Sequence, residues 1–267
     1  MKLPCRGLLP YLSRIVMTIG CVIALAPTPT DAAEIKILTS RAMYHVLTDI
    51  GAAFDRSSGH KITLILAPPT EIMKRIASSE MVDVVMSSDV TLGNLVQQGK
   101  VASGDRLILA RVGIGVAVRA GAAKPDIGSP EALKRTLLAA KSIVYTDPAS
   151  GGRSGLHFDK VLERLGIAKE VKAKSILNAQ PATKPSAEYV ARGEAELGIQ
   201  LISEIVSVAG AELLGPLPDE LQEMSVIVAG ILKTAREPDA ARALFKYLAS
   251  PQAAAAIKAA GMEPAGL

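Results

Sequence analysis

From Glu34 onward, short runs dense in apolar residues alternate with longer stretches where apolar residues recur every three or four positions. The first rhythm is that of strands, and the second that of helices with one buried face. EIKILTS (34–40) predicts a strand that ends in a polar turn. Met43, Val46, Leu47, Ile50 and Phe54 then fall on one stripe of a helix over 42–54. Strand HKITLILA, a helix over 71–79, strand DVVMSS and a helix over 89–98 repeat the theme before RLILARVGIGVAVRA. Strands joined through helices pair in parallel, so this order predicts a doubly wound sheet.

The pattern then starts again. A helix over 130–140 leads to strand SIVYTD, a helix over 155–165 and a strand at EVKAKSIL. A helix over 185–192 precedes the apolar runs AELGIQLIS, AELLGPLP and MSVIVAGIL, and helices over 238–249 and 251–260 follow. The expected fold class is α/β, with two doubly wound α/β lobes joined by a two-strand hinge near 110–118 and 222–232. Lobe 1 would hold residues 33–114 plus 226–267, and lobe 2 residues 115–225. Ligands of open α/β sheets sit beyond the carboxyl ends of the strands, so two such edges would face one another across a cleft.

The first thirty-odd residues have a different pattern. Lys2, Arg6 and Arg14 precede the apolar run Ile15–Ala26, and the spacer PTPTDAA follows. This is the layout of a cleavable signal peptide, residues 1–32, with an apolar run too short to span a bilayer well; an uncleaved anchor is the alternative reading. Its removal takes away Lys2, Arg6, Arg14 and Asp31 and lowers the net charge from +4 to +2. Cys5 and Cys21 leave with it, so the mature chain has neither disulfide nor thiol nucleophile. The expected compartment is the periplasm.

Aromatic residues make up 3% of the chain and Trp is absent, which argues against a nucleic-acid surface built on base stacking. Three histidines, His45, His60 and His157, form no ligand spacing, so neither metal nor cofactor is expected.

Four strand-end loops carry the candidate chemistry. LTSRAM offers Thr39, Ser40 and Arg41, with His45 one helical turn further on. APPTE offers Thr70 and Glu71, and MSSDVT offers Ser87 and Ser88. YTDPASGGRSG offers Gly152, Arg153 and Ser154 where a helix begins. Hydroxyls, free N–H groups and a helix N-terminus together favour an anion. Helix capping accounts for the same Ser, Thr and Asp residues equally simply.

In the order and spacing of LTSRAMYHVLTDIGAAF, TEIMKRIASSEMVDVVMSSD, LARVGIGVAVR, YTDPASGGRSG, AELGIQLISE and FKYLASPQAAAAIKAAGMEP, the chain resembles the periplasmic molybdate-binding protein family. The resemblance implies the type II periplasmic-binding-protein fold and a monomeric receptor that closes on a small anion and hands it to an ABC permease. Where that family has serines, the second loop here has Pro68 and Pro69. Where it has a tyrosine after LGI, this chain has Gln200 and Leu201. Arg41, His45, Lys74 and Arg153 suit planar carboxylates, which guanidinium forks match, better than a tetrahedral oxyanion. A branch similar to these receptors includes aconitate isomerase, which interconverts cis- and trans-aconitate without a cofactor. That resemblance implies a base for an allylic proton transfer, and His45 or Glu71 is the expected one.

Overall fold

The computed structural model describes Met1 and residues 32–179 and 184–266. The expected signal peptide therefore lies almost entirely outside the described residues. The chain opens with β1 (Glu34–Thr39), α1 (Arg41–Ser58), β2 (Lys61–Leu66), α2 (Pro69–Ala77), β3 (Val84–Ser88) and α3 (Asp89–Gln97). The predicted stripe Met43, Val46, Leu47, Ile50 and Phe54 is buried along α1, which Gly59 ends in the left-handed conformation. β1 pairs in parallel with both β2 and β3, as strands linked through helices should.

RLILARVGIGVAVRA, which reads as one extended run, is two strands. β4 (Val101–Val112) and β5 (Ile114–Arg119) are separated by Gly113 and belong to different sheets. The second sheet is then built from α4 (Pro130–Ala139), β6 (Ile143–Thr146), α5 (Arg153–Leu165), α6 (Ala168–Lys172), β7 (Ser175–Asn178), α7 (Ser186–Ala191), β8 (Leu197–Leu201), α8 (Ile202–Val206) and β9 (Ala211–Pro216). The stretch EVKAKSIL divides into the end of α6 and β7, where a single strand was expected. Val171 is buried on α6, and a helical turn accommodates it before the chain extends. The chain returns to the first sheet through β10 (Ser225–Leu232) and ends with α9 (Pro238–Leu248), α10 (Pro251–Ala259) and β11 (Glu263–Pro264).

The strand orders are β11-β4-β10-β3-β1-β2 and β7-β6-β8-β5-β9. Both sheets are mixed. β6 pairs in parallel with β7 and β8, whereas β5 runs antiparallel to β8 and β9, and β10 runs antiparallel to β3 and β4. β5 and β10 are entered without an α-helix just before them, so the parallel rule does not apply to them, and β11 also joins β4 antiparallel after α10. The two crossings between the sheets are stitched together. Gln222 accepts a hydrogen bond from the Ile114 N–H at 2.9 Å and donates to the Ile114 carbonyl at 2.9 Å, as a neighbouring strand residue would.

Across the cleft the two halves touch. Thr70 Oγ1 at the start of α2 donates to the Ser150 carbonyl at 3.1 Å. On the far lip, the start of α5 is pressed onto the end of β6. A Cβ at Gly155 would lie 2.0 Å from the Thr146 carbonyl oxygen, so only glycine permits this approach. Gly155→Ala should cost about 1–3 kcal/mol or more in chemical denaturation. Gly93→Ala, on α3 with open space around its new methyl, should instead stabilise by about 0.5–1 kcal/mol. Equal effects of the two substitutions would contradict this packing.

Candidate functional site

Five strands of the two sheets end at one cavity. Its wall is built from Ser40 and Arg41 after β1, Ala67 to Pro69 after β2, and Ser87 and Ser88 at the end of β3. From the other lobe come Thr146, then Gly152 to Ser154 at the start of α5, and Leu201 and Glu204 after β8. Ser225 and Ile227 enter from β10, and the space with its mouth measures about 530 Å³. The first turns of α1, α2 and α5, together with the cap of α3, therefore face the same space. Each brings the positive end of its dipole and N–H groups without helical partners, which favours an anion.

Local sequence explains how these groups reach the cavity. Ser88 caps α3, its Oγ accepting from the Thr91 N–H at 3.4 Å, so its hydroxyl is partly spent. Ser40 occupies the cap position of α1 but makes no side-chain cap bond. Ser87 is fully buried, and its Oγ has no hydrogen-bond partner within the protein. A buried polar group left unpaired costs about 1–3 kcal/mol, a penalty that a bound acceptor would relieve. Pro68 and Pro69 contribute no N–H and turn an apolar surface inward, continued by Ala42, Ala67, Leu201 and Ile227.

Two guanidinium groups flank this space. Burial lowers the Arg41 pKa from its ordinary value, opposed by Glu204, Tyr44 and Glu188, and the group stays cationic. Arg153 is held from behind. Glu223, on the segment that returns to β10, pairs with it and also lies 2.9 Å from His157 Nδ1. That histidine contact is at ion-pair distance without hydrogen-bond alignment, while His157 Nε2 sits 2.7 Å from the Leu221 carbonyl.

Seven expected site residues, Ser40, Arg41, Ser87, Ser88, Gly152, Arg153 and Ser154, line the cavity. Four do not. Thr39 is fully buried beneath it, with its hydroxyl bonded to the Ser40 carbonyl at 2.9 Å. Thr70 is used in the contact between the lobes. Glu71 points away from the cavity wall and pairs with Arg75 at 3.0 Å, one helical turn along α2. His45 lies on the other side of Arg41, in a separate open depression with Glu188 and Arg192. Burial first, and then Arg41, hold its imidazole below its ordinary pKa.

The feature that the loop-by-loop reading missed is Glu204. It sits in the first turn of α8, only 8% exposed, with its neighbour Gln200 fully buried. Burial pushes its carboxyl up to about 7, while Arg41 and the Gln200 amide pull the other way. The Gln200 amide oxygen accepts from the Ala187 N–H at 3.1 Å, and its nitrogen completes no aligned bond. Thr146 and Ser225 are further cavity residues outside the four loops' expected set.

A family model described as "Bacterial extracellular solute-binding protein" matches residues 35–263. An aconitate isomerase of Pseudomonas sp is 37% identical over 250 residues, covering 90% of this chain and 93% of that protein. The molybdate-binding protein ModA of Azotobacter vinelandii is 28% identical over 257 residues, covering 94% of this chain and 97% of that protein. Among solved structures, the Azotobacter vinelandii periplasmic molybdate-binding protein is similar at a TM-score of 0.71 and 23% identity, over 85% of this chain and 98% of that one. That last likeness establishes the shared two-lobed fold.

The Glu204 carboxyl makes stability depend on pH in a defined direction. Its folded value of about 7 lies above the ordinary 4.5, so between those values the folded chain binds more protons than the unfolded one. Its contribution is complete below pH 4.5 and is lost as the pH rises through about 7. Relative to Glu204→Gln, the wild type should lose on the order of 3 kcal/mol between pH 4.5 and 8, measured by urea unfolding at each pH. Parallel pH curves for the two proteins would contradict this placement of Glu204.

Proposed function

Because the chain belongs to the bacterial extracellular solute-binding protein family, we propose that it is exported to the periplasm and closes its two lobes on a small polycarboxylate. The observation that carries this reading is the mixed lining of the cavity. Arg41 and Arg153 supply forks for planar carboxylates, and Pro68, Pro69, Leu201 and Ile227 supply a surface for carbon. A bare oxyanion has no carbon skeleton to set against that surface. The orphaned Ser87 hydroxyl and the helix N-termini add donors for the remaining oxygens. The basic n-region and apolar run at the N-terminus support export, and the family match supports delivery of the bound anion to an ABC permease.

A second reading is favoured by one observation that reception alone leaves without a role. Glu204 places a carboxyl group beside Arg41 in a cavity otherwise suited to negative charge. In a receptor its carboxylate form would repel the anion, whereas an isomerase needs a group that moves a proton. Under this reading the chain interconverts cis- and trans-aconitate, the substrate suggested by the name of its 37% identical relative. The reaction needs no cofactor, since atoms are conserved and only a proton and a double bond change place.

Addition of trans-aconitate should raise the melting temperature of the purified protein, and molybdate should leave it unchanged. Arg41→Ala and Arg153→Ala should each weaken that binding by about 10- to 100-fold, the usual worth of a charge-assisted contact. Stabilisation by molybdate and not by any di- or tricarboxylate would overturn the carboxylate reading. Chromatography of the same incubation mixture separates the two uses, since the cis isomer accumulates only if the protein is an isomerase.

A further inference from the structure

Among the described residues lining the cavity, Glu204 carries the one carboxyl group, and no histidine, cysteine, lysine or tyrosine stands beside it. Arg41 and Arg153 stay charged, and serine and threonine hydroxyls are far too weakly basic. Elsewhere in the cleft region, His45 opens into a different depression, Glu71 is engaged by Arg75, and His157 is engaged by Glu223 and the Leu221 carbonyl.

Resting on the isomerase reading above, we propose that Glu204 is the catalytic acid–base that carries the proton between the two ends of the allylic system of aconitate. The carboxylate of Glu204 takes a proton from the methylene carbon of the bound substrate. That C–H bond breaks, and its electron pair becomes a new carbon–carbon double bond. The pair of the old double bond moves onto the far carbon, or onto its carboxylate in the dienolate form. The Glu204 carboxylic acid then returns its proton to that carbon, so a C–H bond forms where the double bond had been. Nothing is oxidised or reduced, no group leaves, and the glutamate ends as it began.

The surroundings fit this cycle. Arg41 next to Glu204 stabilises the carboxylate form and faces the charge that builds up on the substrate carboxylate. Gln200, bound by its oxygen to the Ala187 N–H, favours the carboxylate form of Glu204 through its amide. The position of Glu204 in the first turn of α8 ties it to the end of β8, so it is placed by the sheet rather than by a loop.

The test measures binding and turnover separately. Trans-aconitate is incubated with wild type, Glu204→Gln and Glu204→Asp in deuterium oxide, conversion is followed by proton NMR, and binding is measured by calorimetry. Wild type should form cis-aconitate, with the transferred hydrogen carried over by the same carboxyl and deuterium entering the carbon skeleton only to the extent that the Glu204 acid exchanges with solvent before it returns its proton. Glu204→Gln should bind trans-aconitate within about threefold of wild type yet lose at least 100-fold in conversion, the scale of general acid–base catalysis. Glu204→Asp, which keeps the carboxyl but withdraws it by one methylene, should retain part of the activity and confirms the assignment if Glu204→Gln proves poorly folded. Conversion by either variant at the wild-type rate would overturn the assignment. A wild-type protein that binds but does not convert would overturn the isomerase reading itself, and the assignment with it.

Discussion

The charge coupling between a buried carboxyl group and a guanidinium that line the same cavity, one that helix N-termini make electropositive, is the interaction on which the rest of this site depends. Burial favours the protonated form of Glu204. Arg41 and the Gln200 amide act against burial, and the net value is about 7, where both protonation states are populated. The same burial acts on Arg41 in the opposite sense, and Glu204 partly restores it. Each group therefore sets the charge balance of the other, and a carboxylate ligand entering the cavity meets both at once. No pair of this kind is needed merely to hold a dianion.

The fold serves this pair by bringing strand ends from two sheets to one place. The double hydrogen bond of Gln222 to Ile114 ties the outward and returning crossings to one another. Glu223, the next residue, holds Arg153 at the cavity, which links the crossing directly to one of the two guanidinium groups. The contact of Thr70 with Ser150 closes the other lip. Gly155 allows α5 to sit hard against β6, and that contact fixes the height of Gly152, Arg153 and Ser154 above the sheet.

Much of this was legible in the sequence because it is local. The 3.6-residue stripe of α1, the strand-end loops and the Gly/Ser start of α5 all announce themselves within a few residues. What escaped was set by distance along the chain. Glu204 follows LGIQLIS, an apolar run that reads as core, and its place at the cavity shows only when β8 is set in parallel beside β6, whose end also lines that space. His45 shares a helix with Arg41, yet one turn of α1 is enough to carry it out of the cavity and into a separate depression. Glu71 looked available until the i,i+4 geometry of α2 gave it to Arg75. The expected hinge near 110–118 falls inside RLILARVGIGVAVRA, and the sheet assignment puts the break between its two strands at Gly113, a position that the even apolarity of the two halves does not mark.

The account claims that Arg41, Arg153 and Glu204 act on one and the same ligand. A crystal structure of the protein grown with trans-aconitate tests this directly. The account predicts the ligand in the cavity between the lobes, with carboxylates against Arg41 and Arg153, its carbon skeleton over Pro68 and Pro69, and its methylene carbon within about 3.5 Å of a Glu204 oxygen. A ligand bound elsewhere, or bound here with its methylene turned away from Glu204 and both guanidinium groups untouched, would contradict it.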